Sequence, residues 1–186
     1  DYHDAAAALI KDGIVIAAAQ EERFTRKKHD ASLPEQSIQY CLDKAGIRIG
    51  DLFCIVYYEK PLKTFDRLIQ TYIRTWPRGL KSFLQATLLW TKQKLWVEKR
   101  IRNSLKWGGD IFYLEHHVSH AASAYYASGF QEATVVTMDG VGEWDTATIG
   151  FGKGNNLTLT QSLHFPDSLG LLYSAITYYL GFKVNS

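Results

Sequence analysis

An α/β chain of two related lobes is the fold class that the sequence predicts, and three observations carry it. Hairpin patterns and helical patterns alternate along the 186 residues. A unit with an aspartate just ahead of an Ala/Thr-rich hairpin occurs at Asp4 and begins again at Asp139. Between them, about residues 60–106 read as a block of helices inserted into the first unit. The lobes are expected at 1–131 and 132–186, with a nucleotide between them. The first strand is expected to start ahead of Asp1, and the second lobe to stop after its first helix.

Each element has a local reason. Ala5 to Ile10 and Ile14 to Ala19 flank Asp12-Gly13, a dipeptide that suits a two-residue hairpin turn. After the basic loop EERFTRKKHD, the spacing predicts a helix over Leu33–Ala45, opened by Ser32 with Glu35 three positions on and closed by Gly46. Phe53 to Tyr58 is a short apolar strand, and Pro77 with Gly79 breaks the basic helices. Ile111 to Leu114 feeds a helix that ends near Gly129. Strands follow at ATVVTM, WDTATIGFG and LTLTQSLHF, and then a helix from Ser168.

Net charge is only +2, but it is unevenly placed: Lys60 to Lys106 holds 12 Lys and Arg against Asp66 and Glu98. Trp76, Trp90, Trp96 and Trp107 interleave with these cations, a pattern that also suits nucleic acid or an anionic surface. Leu80, Phe83, Leu84, Thr87, Leu88 and Trp90 follow helical spacing, so a packed face with snorkelling cations is the preferred reading, and no nucleic-acid partner is expected. No run approaches the roughly 20 apolar residues of a membrane span, and a cytoplasmic location is the default expectation. Cys41 and Cys54 fit no metal or redox spacing and are expected as packed thiols. The chain starts without Met and stops at Val184-Asn185-Ser186, so it is expected to be a piece of a longer protein.

The most informative stretch is YLEHHVSHAASAYYASGF followed by TVVTMDGVGE. His116 and His120 lie one helical turn apart, so their imidazoles can share a metal; the same spacing also suits a helix start whose histidines cap or pack. His117 points to another face. Asp139, Gly140 and Gly142 form a strand-end turn in which the backbone can approach a phosphate and the carboxylate can hold a cation or its water. Metal beside phosphate suggests chemistry on a nucleotide or an activated acyl phosphate. Gly150-x-Gly152-x-Gly154 lies inside a hairpin and is turn chemistry, and no P-loop, Ser-His-Asp order or Cys-x-x-Cys is present.

Taken together, YHDAAAALIKDGIVIAAAQEERFTRKKHDASLP, YEKPLKTF, HHVSHAASAYYASGF, TMDGVGEWDTATIG and SLGLLYSAITYYLGFKVNS resemble the N-terminal part of the NodU-type O-carbamoyltransferases over essentially the whole chain. The resemblance implies an actin-like (ribonuclease H-like) first lobe with inserted helices and the start of a second, similar to the TsaD-type proteins and followed in the parent chain by a YrdC-like domain. It implies that carbamoyl phosphate and ATP become carbamoyl adenylate in the YrdC-like domain, and that the actin-like domain moves the carbamoyl group to a hydroxyl of a small-molecule acceptor such as a sugar or antibiotic. Ala5 departs from the Ser that the family often carries after His-Asp.

Site roles follow from the same resemblance. His3 is the expected base toward the acceptor hydroxyl, Lys28 the point charge for carbamoyl or phosphate oxygens, and Asp4 a member of the first phosphate loop. His116 and His120 match the ligands of a divalent metal of the iron class, with the third ligand, a carboxylate, expected beyond Ser186. The piece alone is expected to be catalytically silent. Another actin-like phosphotransfer or tRNA threonylcarbamoyl-transfer enzyme is the alternative, disfavoured by HDAAAALIKDG and the Trp-rich insertion; a non-enzymatic module built on the basic helices is a further one.

Overall fold

The structure, a computed structural model, describes residues 4–92 and 94–184, without the side chains of residues 92 and 94. His3, the expected base, lies outside the described residues. In chain order the elements are β1 (Ala6–Lys11), β2 (Ile14–Gln20), α1 (Glu22–Thr25), α2 (Glu35–Ala45), β3 (Cys54–Tyr57), α3 (Pro61–Thr75) and α4 (Leu80–Lys92). They continue with α5 (Val97–Leu105), β4 (Asp110–Tyr113), α6 (His116–Ser128), β5 (Glu132–Met138), β6 (Asp145–Lys153), β7 (Asn156–His164) and α7 (Leu169–Tyr179). This is a mixed α/β chain whose described strands form three separate small sheets, β1-β2, β3-β4 and β5-β6-β7. It divides into two compact units, Asp1–Ile55 with Leu88–Ile111 and Val56–Thr87 with Phe112–Ser186.

In the first unit, β1 and β2 are antiparallel, with Lys11 opposite Ile14 across Asp12 and Gly13, both at positive φ. That is the two-residue turn whose twist matches the strands. α2 packs on this hairpin through Ser37, Cys41 and Leu42, three buried residues on one helical face. The Cys41 thiol stands 3.7 Å from the Ala7 carbonyl oxygen, and burial pushes its pKa up, as suits a packed thiol. Gly46 closes α2 in the left-handed conformation that the sequence anticipates.

The start of α2 differs from the sequence expectation. The helix begins at Glu35, not Leu33, and the Ser32 hydroxyl is turned away to donate to the Asp30 carboxylate at 2.6 Å. The capping acceptor is Glu21, which is only 2% exposed. Its Oε1 accepts from the Gln36 amide (3.1 Å), and its Oε2 from the Ser37 amide (2.8 Å) and the Ser37 hydroxyl (2.7 Å). These are the second and third amides of the helix, the ones an N-cap side chain normally satisfies. A full carboxylate does it better than a hydroxyl, because it also meets the positive end of the helix dipole. Ser32 and Asp30 instead brace the loop, and the two hydrogen bonds from Ser32 hold the exposed Asp30 carboxyl down at about 2.

The second unit is built on the β5-β6-β7 meander. α6 lays Ala121 and Tyr125 against Val135, with Ala133, Leu157 and Leu159 around them. The Tyr125 hydroxyl lies 2.8 Å from the Gln131 carbonyl oxygen and 3.1 Å from that of Gly154, which ties the far end of α6 to the link before β5 and to the β6–β7 turn. The near end of α6 is therefore held in a defined place at the end of β5. Ser168 caps α7 by accepting from the Leu171 amide at 3.0 Å.

α4 does not pack as its spacing suggests. Trp90 is buried, but Leu80, Leu84 and Leu88 stay exposed, the last two by more than half (53% and 56%). No described helix is long and apolar enough to cross a membrane.

Replacing Glu21 tests the remote cap. Glu21→Ala strands the Gln36 amide and the buried amide and hydroxyl of Ser37, so thermal or urea denaturation should show a loss of about 1–3 kcal/mol. Glu21→Gln, which keeps an acceptor oxygen, should lose less. A Ser32→Ala change should be nearly neutral for α2, whereas an equal loss from both would show that Ser32 is the cap after all.

Candidate metal centre

The site lies within the second unit, where the N-terminal turn of α6 faces the end of β5. Glu115 precedes α6 in extended conformation and makes no side-chain cap. Its carboxylate is held by Lys63 (2.5 Å) and Lys60 (3.2 Å), at either side of the start of α3. The hydrogen bond from Lys63 is the main reason that Glu115 titrates lower than an ordinary glutamate, and the same bond raises Lys63. An anion at this position also suits the positive end of α6.

One turn of α6 then presents three histidines. His116 Nε2 stands 2.7 Å from Asp139 Oδ2 and 3.1 Å from His120 Nε2, and His120 Nε2 is 3.6 Å from the same carboxylate oxygen. The three donor atoms all lie within 4.8 Å of one another. His117 turns the other way and is buried, its Nδ1 2.6 Å from the Thr137 hydroxyl, which is itself 2.6 Å from the Thr148 hydroxyl. Burial first, and then the charge of His116, lowers His117. It stands as a strut between α6 and the sheet.

Asp139 is fixed by its backbone. Its amide donates to the Thr146 carbonyl at 2.8 Å, and its Oδ1 accepts from the Gly140 amide at 2.6 Å, which leaves Oδ2 to the imidazoles. The Ser168 hydroxyl reaches the carbonyls of Gly140 (2.7 Å) and Asp139 (3.2 Å), so the start of α7 closes on this turn. Gly170 permits that approach, since a Cβ there would sit 2.6 Å from the Asp139 carbonyl oxygen. Gly142 plays the same part against His117, whose Nε2 would be 3.0 Å from an added Cβ.

The electrostatics agree from both partners. The hydrogen bond to His116 and the nearby His120 imidazole hold the Asp139 carboxyl far below the usual carboxylate range, against an opposing effect of burial. Burial is the largest influence on His116 and acts downward, but the bond to Asp139 and the charges of Asp139, Glu59 and Glu143 outweigh it and leave His116 raised. Tyr58 lies 5.8 Å from the His116 ring, and burial with the Glu59 charge pushes its hydroxyl up to about 12. Glu143 is buried, accepts from the Lys60 amide at 2.5 Å, and titrates higher because of that burial.

The donor set fits a divalent first-row metal. Two Nε2 atoms 3.1 Å apart cannot both carry protons without turning N–H against N–H, yet neither faces away from the carboxylate. Two imidazoles and one carboxylate converging in this way form a mixed N/O set of the kind that such ions prefer. His116 Nδ1 is buried and has no partner among the described residues, so none of them fixes the ring's tautomer from behind.

The other sequence candidates fall elsewhere. Asp4 and Lys28 belong to the first unit, on neighbouring loops: His29 Nδ1 is 3.0 Å from Asp4 Oδ1, and the Ala5 amide donates to the Asp30 carbonyl at 2.8 Å. Lys28 is exposed on the turn after α1. His29 was not singled out from the sequence; the one signal for it was its place in KKHD beside Lys28. A carboxylate at the imidazoles was expected beyond Ser186, whereas Asp139 already supplies one within this chain. The lysine pair that holds Glu115, and buried Glu143, also went unread.

A family model described as "Carbamoyltransferase N-terminus" matches residues 1–186. An uncharacterized protein of Synechocystis sp. is 55% identical over 193 residues, covering 100% of this chain and 31% of its own length. Nodulation protein NolNO of Sinorhizobium fredii is 37% identical over 185 residues, covering 97% of this chain and 26% of its own length. An uncharacterized protein of Methanocaldococcus jannaschii is 30% identical over 189 residues, covering 98% and 29%. The chain thus spans about a quarter to a third of the length of these relatives. With the match running from the first residue to the last, the chain belongs to the family of carbamoyltransferase N-terminal domains.

Proposed function

We propose that this chain is the N-terminal part of an O-carbamoyltransferase with an actin-like fold. Carbamoyl adenylate, made from carbamoyl phosphate and ATP in a YrdC-like domain elsewhere in the protein, donates its carbamoyl group here to a hydroxyl of a small-molecule acceptor. The observation that carries the reading is the convergence of His116, His120 and Asp139 at the Gly140 turn, in a chain of this family.

In this reading His116, His120 and Asp139 hold a divalent metal of the iron class. When bound, that ion supplies positive charge to a departing phosphate. Asp139 is suited to the task because its backbone and Oδ1 are already fixed, so its Oδ2 needs no reorganisation. The turn at Gly140 and Gly142 receives the phosphate, and the N-terminus of α7 adds the favourable end of its dipole. His3 takes the proton of the acceptor hydroxyl, which is a poor nucleophile until then. Lys28 offers a compact charge to carbamoyl or phosphate oxygens, and Asp4 lies on the neighbouring loop.

Metal binding should be measurable on the chain itself. Titration with Co²⁺ or Fe²⁺ should show one site, and His120→Ala or Asp139→Asn should weaken it by at least ~10–100-fold, the range that even outer-shell losses produce. Unchanged affinity in both variants would remove the metal from the proposal.

The same titration has a pH sign. The ion needs neutral imidazole, and Asp139 raises His116, so affinity should begin to fall at a pH above the ordinary imidazole value of about 6.5 as the solution is acidified. Without metal the sign is different. The raised His116 adds stability that is present below its unfolded pKa and lost as pH rises through the folded one. The depressed Asp139 adds stability that is present above its unfolded pKa and lost as pH falls through the folded one. Asp139→Asn should therefore destabilise the metal-free chain most between about pH 4 and 6.5, followed by thermal melts.

In the assembled protein, His3→Asn should leave adenylate formation intact and slow carbamoyl transfer by about 10²–10⁴-fold. Following both half-reactions side by side decides it: transfer within a few-fold of wild type would make His3 an ordinary loop residue.

A further inference from the structure

α3 carries a cation that pairs with no acid among the described residues. Its register beside the site is set one residue earlier, where Asp66 Oδ2 accepts from the Trp144 indole at 3.3 Å and from Gln70 at 2.9 Å. Trp144 in turn holds the Phe165 amide through its carbonyl at 2.8 Å. Arg67 follows. Its guanidinium carbon lies 5.4 Å from the centroid of the Phe165 ring, and its Nε–H is buried with no acceptor. Among the described residues it forms no ion pair.

Burying a guanidinium donor without a partner is costly, and α3 is otherwise well able to keep an arginine in water. Burial lowers Arg67, and the charges of Glu59 and Asp139 offset this only through space. Neither carboxylate forms an ion pair with Arg67 among the described residues. Asp139 spends its oxygens on the Gly140 amide and the imidazoles, and makes no ion pair with Arg67. The Phe165 face limits the swing of the guanidinium plane, and a planar fork held in place suits the oxygens of a phosphoryl group better than a point charge does. The start of α7, closed on Asp139 and Gly140 through Ser168, lies in the same unit and favours the same sign of ligand.

We infer that Arg67 is the guanidinium contact of this site for a phosphoryl oxyanion, the group carried by a phosphate monoester or an acyl phosphate. The inference rests on the transferase reading, which it deepens by naming a residue on the inserted helix that recognises the phosphate. Arg67 touches the ligand and not the metal. Two sources of that chemistry are open, a nucleoside monophosphate moiety and a free phosphate donor.

The chain, with saturating Co²⁺ present, is titrated with AMP in one arm and inorganic phosphate in the other, followed by ³¹P line broadening and calorimetry. Co²⁺ affinity is measured separately for every variant. Arg67→Gln should weaken binding about 10–100-fold, the loss expected for a charge-assisted contact, while Co²⁺ affinity is not reduced, because a nearby positive charge has gone. Arg67→Lys keeps a cation over Phe165 but loses the fork, so it should bind more weakly than wild type and more tightly than Gln. If Arg67→Gln does not fold, the Lys variant decides. A preference for AMP assigns the contact to a nucleotide phosphate, and equal binding of the two probes to a free phosphate group. Oxyanion affinity that is unchanged in the Lys and Gln variants, or absent in the wild type, overturns the inference. Loss of Co²⁺ binding in wild type, by contrast, counts against the metal reading of the previous section.

Discussion

The site turns on a single carboxylate. Asp139 stands where β5 ends, and almost every constraint nearby fixes either its backbone or one of its oxygens. Thr146 takes its amide, Gly140 occupies Oδ1, and Ser168 bonds its carbonyl. What is left is Oδ2, presented to His116 and His120. A carboxylate on a free loop would pay side-chain entropy for the same arrangement; here the sheet ladder and the α7 cap have already settled it. The buried His117–Thr137–Thr148 chain serves the other half of the pair, since it fixes the face of α6 that does not touch the ligand set. The two imidazoles then have one direction in which to converge.

The same economy recurs at helix starts. α2 and α7 each take an acceptor for their first amides, but from different distances in sequence. Ser168 is adjacent to its helix, so its role is readable from a serine before an apolar run. Glu21 comes from the end of β2 and caps α2 only because the hairpin and helix are packed together. The consequence is mechanical: the cap couples the stability of α2 to that of the hairpin. It also holds the loop between them, whose Asp30 carbonyl and His29 ring bind back to Ala5 and Asp4. The expected first phosphate loop, with Asp4 and Lys28, is built on that tie.

Legibility followed locality. The Asp12-Gly13 turn, Gly46 and Gly129 as helix ends, the α6 helix and the three strands after it were all readable, because each depends on neighbouring residues or on a short period. His116 and His120 were readable as a pair for the same reason, a spacing of one turn on a helix. Ser32 was misread as a cap because a nearby competitor, the Asp30 carboxylate, takes its hydroxyl and a distant one takes its helix. The helical stripe on α4 was read as a packed face, yet periodicity says only that a face is apolar, not what covers it. Asp139 was read as a turn residue for phosphate or cation, and its meeting with two imidazoles 19 and 23 positions earlier depends on how α6 lies on the sheet.

Charge balance is the least local property of all. In sequence, Lys60, Lys63 and Arg67 are three cations of one basic stretch, with nothing to rank them. In the structure Lys60 and Lys63 both turn to Glu115, and the Lys60 amide also holds Glu143, so the acids at the start of α6 and in the turn after Asp139 are answered by the first turn of α3. Arg67 lies one turn further along the same helix, against an aromatic ring and without an acid of its own. Since buried ionic groups are tolerated where they are paired, a half-buried arginine with no ion pair among the described residues is the one we assign to a ligand's charge. The basic character of this segment is thus divided between two tasks: its first cations neutralise the frame of the site, and its third remains for what binds there.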